Sequence, residues 1–207
     1  MTSSVSTPND PAVPDARLSE LTAWLATLAP VYRLEITTLR PASADASFRR
    51  YFRLDASDRT LIVMDAPPDK EDCRPFIHVA RLLREAGLNA PEVLESNLAQ
   101  GFLLLSDLGT TTYLSVLNQD NASTLFDDAM EALVRWQQSS RPGELPPYDE
   151  ALLRRELSLF PDWYVARHLG HTLSEKQSAV LARMFDRIVA ANLAQPTVYV
   201  HRDCGGT

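Results

Sequence analysis

Lysine is almost missing from this chain: only Lys70 and Lys176 occur among its 20 basic residues, against 27 acidic ones. The net charge is -7. A nucleic-acid or anionic-membrane surface needs clustered Lys and Arg, so neither partner is expected. Cysteine is equally scarce. Cys73 and Cys204 lie far apart with no CxxC or Cys/His spacing, which excludes a zinc site or disulfide framework and suits free thiols in a reducing cytoplasm. No apolar run approaches the roughly 18 residues that span a bilayer. The first 14 residues lack the apolar segment of a secretory signal. They are rich in Ser, Thr, Pro and Asp, the composition of a disordered tail. A Gly-rich phosphate-binding signature is also missing.

What is present is a change of period along the chain. Asp15 can cap a helix whose stripe is Leu18, Leu21, Trp24, Leu25 and Leu28, with Pro30 ending it. Arg33 to Leu39 then alternates as a strand, and Pro41 to Ser47 reads as a small-residue turn. Ser47 to Leu54 alternates again, and Thr60 to Asp65 is a third strand closed by Pro67-Pro68. These three neighbours form an antiparallel meander. A helix over Asp72 to Ala86 follows, with Gly87 placed for a left-handed C-terminus. Glu92 to Glu95 and Phe102 to Leu105 are short strands. Beyond Thr110 the pattern is helical: Tyr113 to Leu117, Ala122 to Gln138, Asp149 to Leu169 and Ser174 to Ala194, the last with a Ser174/Gln177 capping box. The predicted class is α+β. A β-rich lobe spans 15–108 and an α-rich lobe 109–207, with a cleft at about 106–110.

The chain near its end reads Thr197-Val-Tyr-Val-His-Arg-Asp203. Pro196 closes the preceding helix, and the β-formers predict a short buried strand that presents His201, Arg202 and Asp203. A carboxylate there can accept the proton of an attacking hydroxyl during phosphoryl transfer. His201 and Arg202 are expected to brace the loop. Ser43, Ser47, Arg49 and Arg50 surround a strand–turn–strand that could grip phosphate, although alone it reads as a plain hairpin with solvated arginines. Leu104 to Ser106 could read the edge of adenine, although alone they form an ordinary central strand. Glu156, Asp162 and Trp163 could line a sugar pocket, the indole as a flat face and the carboxylates as hydroxyl acceptors. Their other reading is a helix with core aromatics and solvated acids.

Taken together, these segments resemble the aminoglycoside phosphotransferase-like kinase superfamily. The resemblance rests on Ser43-Ala-Asp-Ala-Ser-Phe-Arg-Arg-Tyr-Phe, Leu61-Ile-Val-Met-Asp-Ala-Pro-Pro, Gly101-Phe-Leu-Leu-Leu-Ser-Asp-Leu-Gly, Phe160-Pro-Asp-Trp-Tyr and His201-Arg-Asp. Within it the chain is most similar to bacterial anomeric kinases that phosphorylate N-acetylmuramate and N-acetylglucosamine at C1 in cell-wall recycling. The resemblance implies a bilobal protein-kinase-like fold, ATP and magnesium. Asp203 matches the catalytic aspartate, Ser43 to Arg50 the phosphate loop and Leu104 to Ser106 the adenine hinge. Met64 stands about where many kinases place a phosphate-pairing Lys, so Arg49 or Arg50 would substitute.

The family's metal-binding Asn falls one position past Thr207, and its downstream acidic motif is absent, so metal ligands are expected beyond this sequence. The expectation is a truncated or frame-shifted kinase with little turnover, whose incomplete helical lobe exposes apolar stripes on 122–138 and 174–194 and favours self-association. Two other readings stand beside it: an aminoglycoside phosphotransferase, and a non-catalytic module that binds nucleotide or a partner.

Overall fold

A computed structural model of the chain describes residues 15–44 and 48–202, with residues 43 and 44 by backbone alone. The chain divides into two compact units at the Val116/Leu117 boundary.

The first unit is built on one five-stranded sheet of order β1-β2-β3-β5-β4. Its strands are β1 (Leu34–Ala44), β2 (Arg50–Ala56), β3 (Thr60–Asp65), β4 (Val93–Asn97) and β5 (Phe102–Ser106). Every neighbouring pair is antiparallel. Helix α1 (Ala16–Tyr32) precedes the sheet, and α2 (Arg74–Glu85) carries the chain from β3 to β4. Strand β5 therefore inserts between β3 and β4. Successive side chains of a strand face opposite ways, and here both ways are covered. Phe102 and Leu104 pack with Leu61, Val63 and α1's Leu21 and Leu25. Leu103 and Leu105 pack with Met64, Ala66, Cys73 and α2's Phe76 and Ile77. This is why β5 reads as an unbroken apolar run instead of an alternating one.

Local chemistry explains the ends of these elements. The Asp15 carboxylate accepts from the Leu18 N–H at 3.1 Å and caps α1. Pro30, predicted to end α1, lies inside it. A proline in the final turn deletes one backbone bond without stopping the turns that follow, and the helix runs to Tyr32 before Arg33 takes a left-handed conformation at φ 55°. β1 continues through Pro41 to Ala44, so the first four residues of the predicted 41–47 turn are strand, and residues 45–47 lie outside the described residues. Pro41 is tolerated because β1 is an edge strand. The β1–β2 register shifts twice, and the Thr38 hydroxyl fills one irregularity by accepting from the Asp55 N–H at 2.8 Å. Gly101 has φ +72°, and a Cβ there would lie 1.9 Å from the Ala66 carbonyl oxygen. Only glycine permits the turn into β5 to approach β3 this closely.

A short helix α3 (Tyr113–Val116) ends the first unit. The second unit is helical: α4 (Ala122–Gln138), α5 (Glu150–Leu159) running directly into a π-helical stretch (Phe160–His168), and α6 (Glu175–Leu193). Pro161 has no N–H to continue the α ladder, and the widened turn follows at that point. The capping box forms as predicted, Ser174 and Gln177 each satisfying the other's backbone. Phe126, Met130 and Val134 of α4, and Val180, Met184 and Ile188 of α6, are exposed at four-residue intervals, which are the apolar stripes anticipated from the sequence.

The strand predicted over Thr197 to Val200 does not form. β-propensity expresses itself only against a partner strand, and none pairs with this segment among the described residues. Tyr199 instead gives its N–H to the Ser140 hydroxyl at 2.7 Å and packs its ring on Trp136, centroids 4.6 Å apart.

Candidate functional site

In the first unit the candidate residues gather at two ends of the sheet. Ser43 lies in β1 opposite Tyr51, and Ser47 lies outside the described residues. Arg49, one residue before β2, is half-buried and donates to the Glu71 carboxylate at 3.2 Å. Arg50 is drawn elsewhere. Its Nε and Nη2 donate to Asp65 Oδ2 at 2.9 and 2.5 Å, and its Nη1 to Asp15. The hydrogen bond from Arg50 pulls the Asp15 carboxyl below its usual range. Asp65, at the end of β3, is wholly buried and takes a second guanidinium, that of Arg17 in α1. A lone buried carboxylate would be very costly, and two arginines with five donors each satisfy it. Met64 fills the α2 side of the core, so no cation stands at that strand position, as the sequence indicated.

Leu104 is fully buried and pairs with Val63 on one side and Glu95 on the other. Its backbone sits within the sheet. The Ser106 N–H donates to the Glu92 carbonyl at 2.9 Å, and its hydroxyl accepts from the Glu92 N–H at 2.8 Å. The next residue was not singled out from the sequence. Asp107, with a side chain only 5% exposed, accepts from Arg53 of β2 through two bonds at 2.5 and 2.9 Å, and from the Thr60 hydroxyl of β3 at 2.6 Å. It also holds the Gly109 N–H at 2.8 Å. The Arg53 hydrogen bond holds the Asp107 carboxyl down at about 2, against the opposing effect of burial and with help from Thr60 and Gly109. The signal for Asp107 was its place, one residue past the most apolar strand. Its partners sit in strands 54 and 47 residues earlier, which spacing does not reveal.

In the second unit Glu156 of α5 accepts from the Arg202 guanidinium at 2.7 Å and from Arg155 at 3.4 Å. Arg202 adopts φ +73° and lies 5.6 Å from the centre of the Tyr148 ring. A non-glycine residue in the left-handed region is unusual and needs anchoring, and Glu156 supplies the anchor. Asp203 lies outside the described residues. Trp163 is exposed, with the Arg167 guanidinium 4.0 Å from its ring centre. Tyr164 stacks between Phe160 and His168, at 5.7 and 5.5 Å. Asp162 is exposed on the same π-helical stretch. Glu156 thus meets Arg202, while Trp163 and Asp162 face solvent one to two turns further on.

Among the described residues no group of three or more His, Cys, Asp or Glu could hold a metal ion. No helix among them is long and apolar enough to cross a membrane.

Residues 38–206 match the family described as phosphotransferase enzyme family. The chain belongs to that family. Its antiparallel sheet followed by helices is consistent with an α+β, kinase-like fold. Three curated relatives are named N-acetylmuramate/N-acetylglucosamine kinase. The Pseudomonas aeruginosa protein is 52% identical over 196 residues, covering 91% of this chain and 58% of its own length. That from Pseudomonas putida is 46% identical with the same coverage. That from Neisseria meningitidis serogroup B is 42% identical over 192 residues, covering 90% of this chain and 56% of its own. This phosphotransferase-family chain therefore spans somewhat under three fifths of the length of those relatives.

Proposed function

We propose that the chain supplies the nucleotide-handling and catalytic-loop portion of a cytoplasmic kinase. The enzyme would move the terminal phosphoryl group of ATP to the C1 hydroxyl of N-acetylmuramate or N-acetylglucosamine, as in cell-wall recycling. The observation that carries the reading is the 52% identity, over 91% of the chain, to a kinase named for those two sugars.

In this reading residues 15–108 form the nucleotide lobe and 109–207 the start of the helical lobe. The exit of β5 around Leu104 to Ser106 receives the base, and the hairpin with Ser43, Ser47, Arg49 and Arg50 faces the phosphates. Both arginines already hold carboxylates, Arg49 that of Glu71 and Arg50 those of Asp15 and Asp65. Asp203 accepts the proton of the attacking hydroxyl. The Glu156–Arg202 pair fixes the backbone just before it. Glu156 then orients the catalytic loop, and Asp162 and Trp163 remain the sugar-facing candidates. Magnesium would accompany ATP with ligands outside the described residues.

The test has two parts. Titration of the 207-residue chain with a fluorescent ATP analogue should show saturable binding that ATP displaces. Joined to the remaining C-terminal portion of the Pseudomonas aeruginosa relative, the chain should phosphorylate N-acetylmuramate and N-acetylglucosamine but not an aminoglycoside. Asp203→Asn should lower that kcat by roughly a factor of 100 or more. Preference for the aminoglycoside would replace the acceptor, and absence of nucleotide binding would reject the reading.

A further inference from the structure

Asp107 and its partners form a built arrangement that the transfer chemistry does not use. Its carboxylate stands immediately after β5 and gathers donors from two strands and the loop that follows it. Oδ2 takes Arg53 Nε at 2.5 Å and Thr60 Oγ1 at 2.6 Å, while Oδ1 takes Arg53 Nη2 at 2.9 Å and the Gly109 N–H at 2.8 Å. Arg53 Nη2 also donates to the Gly109 carbonyl at 3.0 Å. Both backbone groups of Gly109 are thus committed. Its φ of +94° is one that side chains rarely adopt, although a Cβ there would meet nothing within 4 Å. The glycine serves the course of the backbone, not the packing around it. At the other end the Ser106 N–H is held by Glu92. Between these two fixed points lies Leu108, half-exposed, and no hydrogen bond among the described residues takes up its backbone N–H or C=O.

A base edge is read by one donor and one acceptor at fixed spacing, and the backbone of a clamped segment provides both at little entropic cost on binding. Resting on the nucleotide-binding reading above, we propose that Asp107 is a positioning residue for nucleotide recognition: with Arg53 and Thr60 it holds residues 106–109 in the course that presents the Leu108 backbone to the base. The low-lying carboxyl of Asp107 supports this, since it stays charged, and so keeps its grip on Arg53, throughout the neutral range.

A merely structural ion pair would affect all ligands alike, whereas a base-positioning one separates the base from the phosphates. The experiment measures displacement of a fluorescent ATP analogue from the full chain by ATP, adenosine and inorganic tripolyphosphate. It compares the unsubstituted protein with Asp107→Asn, and with Asp55→Asn as a control that breaks an exposed ion pair on the same sheet. The expected result is weakening of ATP and adenosine by about tenfold or more, unchanged tripolyphosphate, and a control that matches the unsubstituted chain. Equal weakening of all three ligands, or no change in any, overturns the proposal while leaving the nucleotide reading in place. Failure of the unsubstituted chain to bind ATP overturns both. Should Asp107→Asn not fold, Thr60→Val removes one of the four bonds with little change of shape. It should show the same separation at smaller size, and its absence is equally decisive.

Discussion

Two buried carboxylates, Asp65 and Asp107, hold the sheet unit together by opposite ends of its strands. Asp65 is wholly enclosed between Arg17 and Arg50. Removing it leaves two partly exposed guanidinium groups beside a vacated buried site, and the cost falls below the roughly 3–5 kcal/mol of a fully buried pair because water reaches both arginines and Arg50 keeps Asp15. Asp65→Ala should lower the urea midpoint of the sheet unit accordingly. Asp55→Ala, which breaks the exposed pair with Arg40, should change it by about 0–1 kcal/mol. Asp107 adds a pH dependence. Its carboxyl is depressed from 3.8 to about 2, so the folded state favours the charged form. That contribution is complete above pH ~4, amounts to about 2 kcal/mol, and disappears as pH falls through about 2. The stability difference between the unsubstituted chain and Asp107→Asn should therefore be present at pH 6 and vanish toward pH 2. A difference that persists at pH 2 would show that packing, not charge, joins Asp107 to Arg53.

Helix starts were the most legible elements, because their chemistry is local, whereas Pro30 misplaced the end of α1. Ser174 and Gln177 announce a capping box three residues apart, and it forms. Ser174→Ala should cost about 1 kcal/mol, seen as a lower thermal midpoint and earlier amide exchange in the first turn of α6. Strand β3 was equally plain, since an apolar run between turn residues leaves little choice of ends. The segment 197–200 shows the limit. Thr, Val and Tyr favour extended backbone, but a strand is defined by its neighbour, and Tyr199 finds Trp136 and the Ser140 hydroxyl instead. The π-helical turn was also hidden: Pro161 was visible, but whether a proline breaks, bends or widens a helix depends on what packs around it.

For the whole molecule, the α+β class and the phosphotransferase family were both readable, because a family resemblance rests on many short segments in order. The ion-pair partners were not. Arg17 meets Asp65 across 48 residues and Arg53 meets Asp107 across 54, and only the folded topology brings them together. The exposed stripes differ. Their spacing was legible, and the structure shows Met130 and Met184 each more than 45% exposed. Surface of this kind promotes association. The 207-residue chain should sediment with a concentration-dependent mass, and Met130→Glu with Met184→Glu should reduce it. A single monomeric species at all concentrations would refute this.

The insertion of β5 between β3 and β4 has a consequence for biosynthesis. As the polypeptide leaves the ribosome, β1, β2 and β3 can zip together early, but the outer rim of β3 has no cover until residues 102–106 emerge. For the 36 residues from 66 to 101 the nascent meander carries a bare rim ending in Met64 and Asp65, the kind of surface that recruits wrong strands. Slowing elongation between codons 66 and 101 should raise misassembly of the newborn protein, whereas the same delay after codon 106 should be harmless to the sheet.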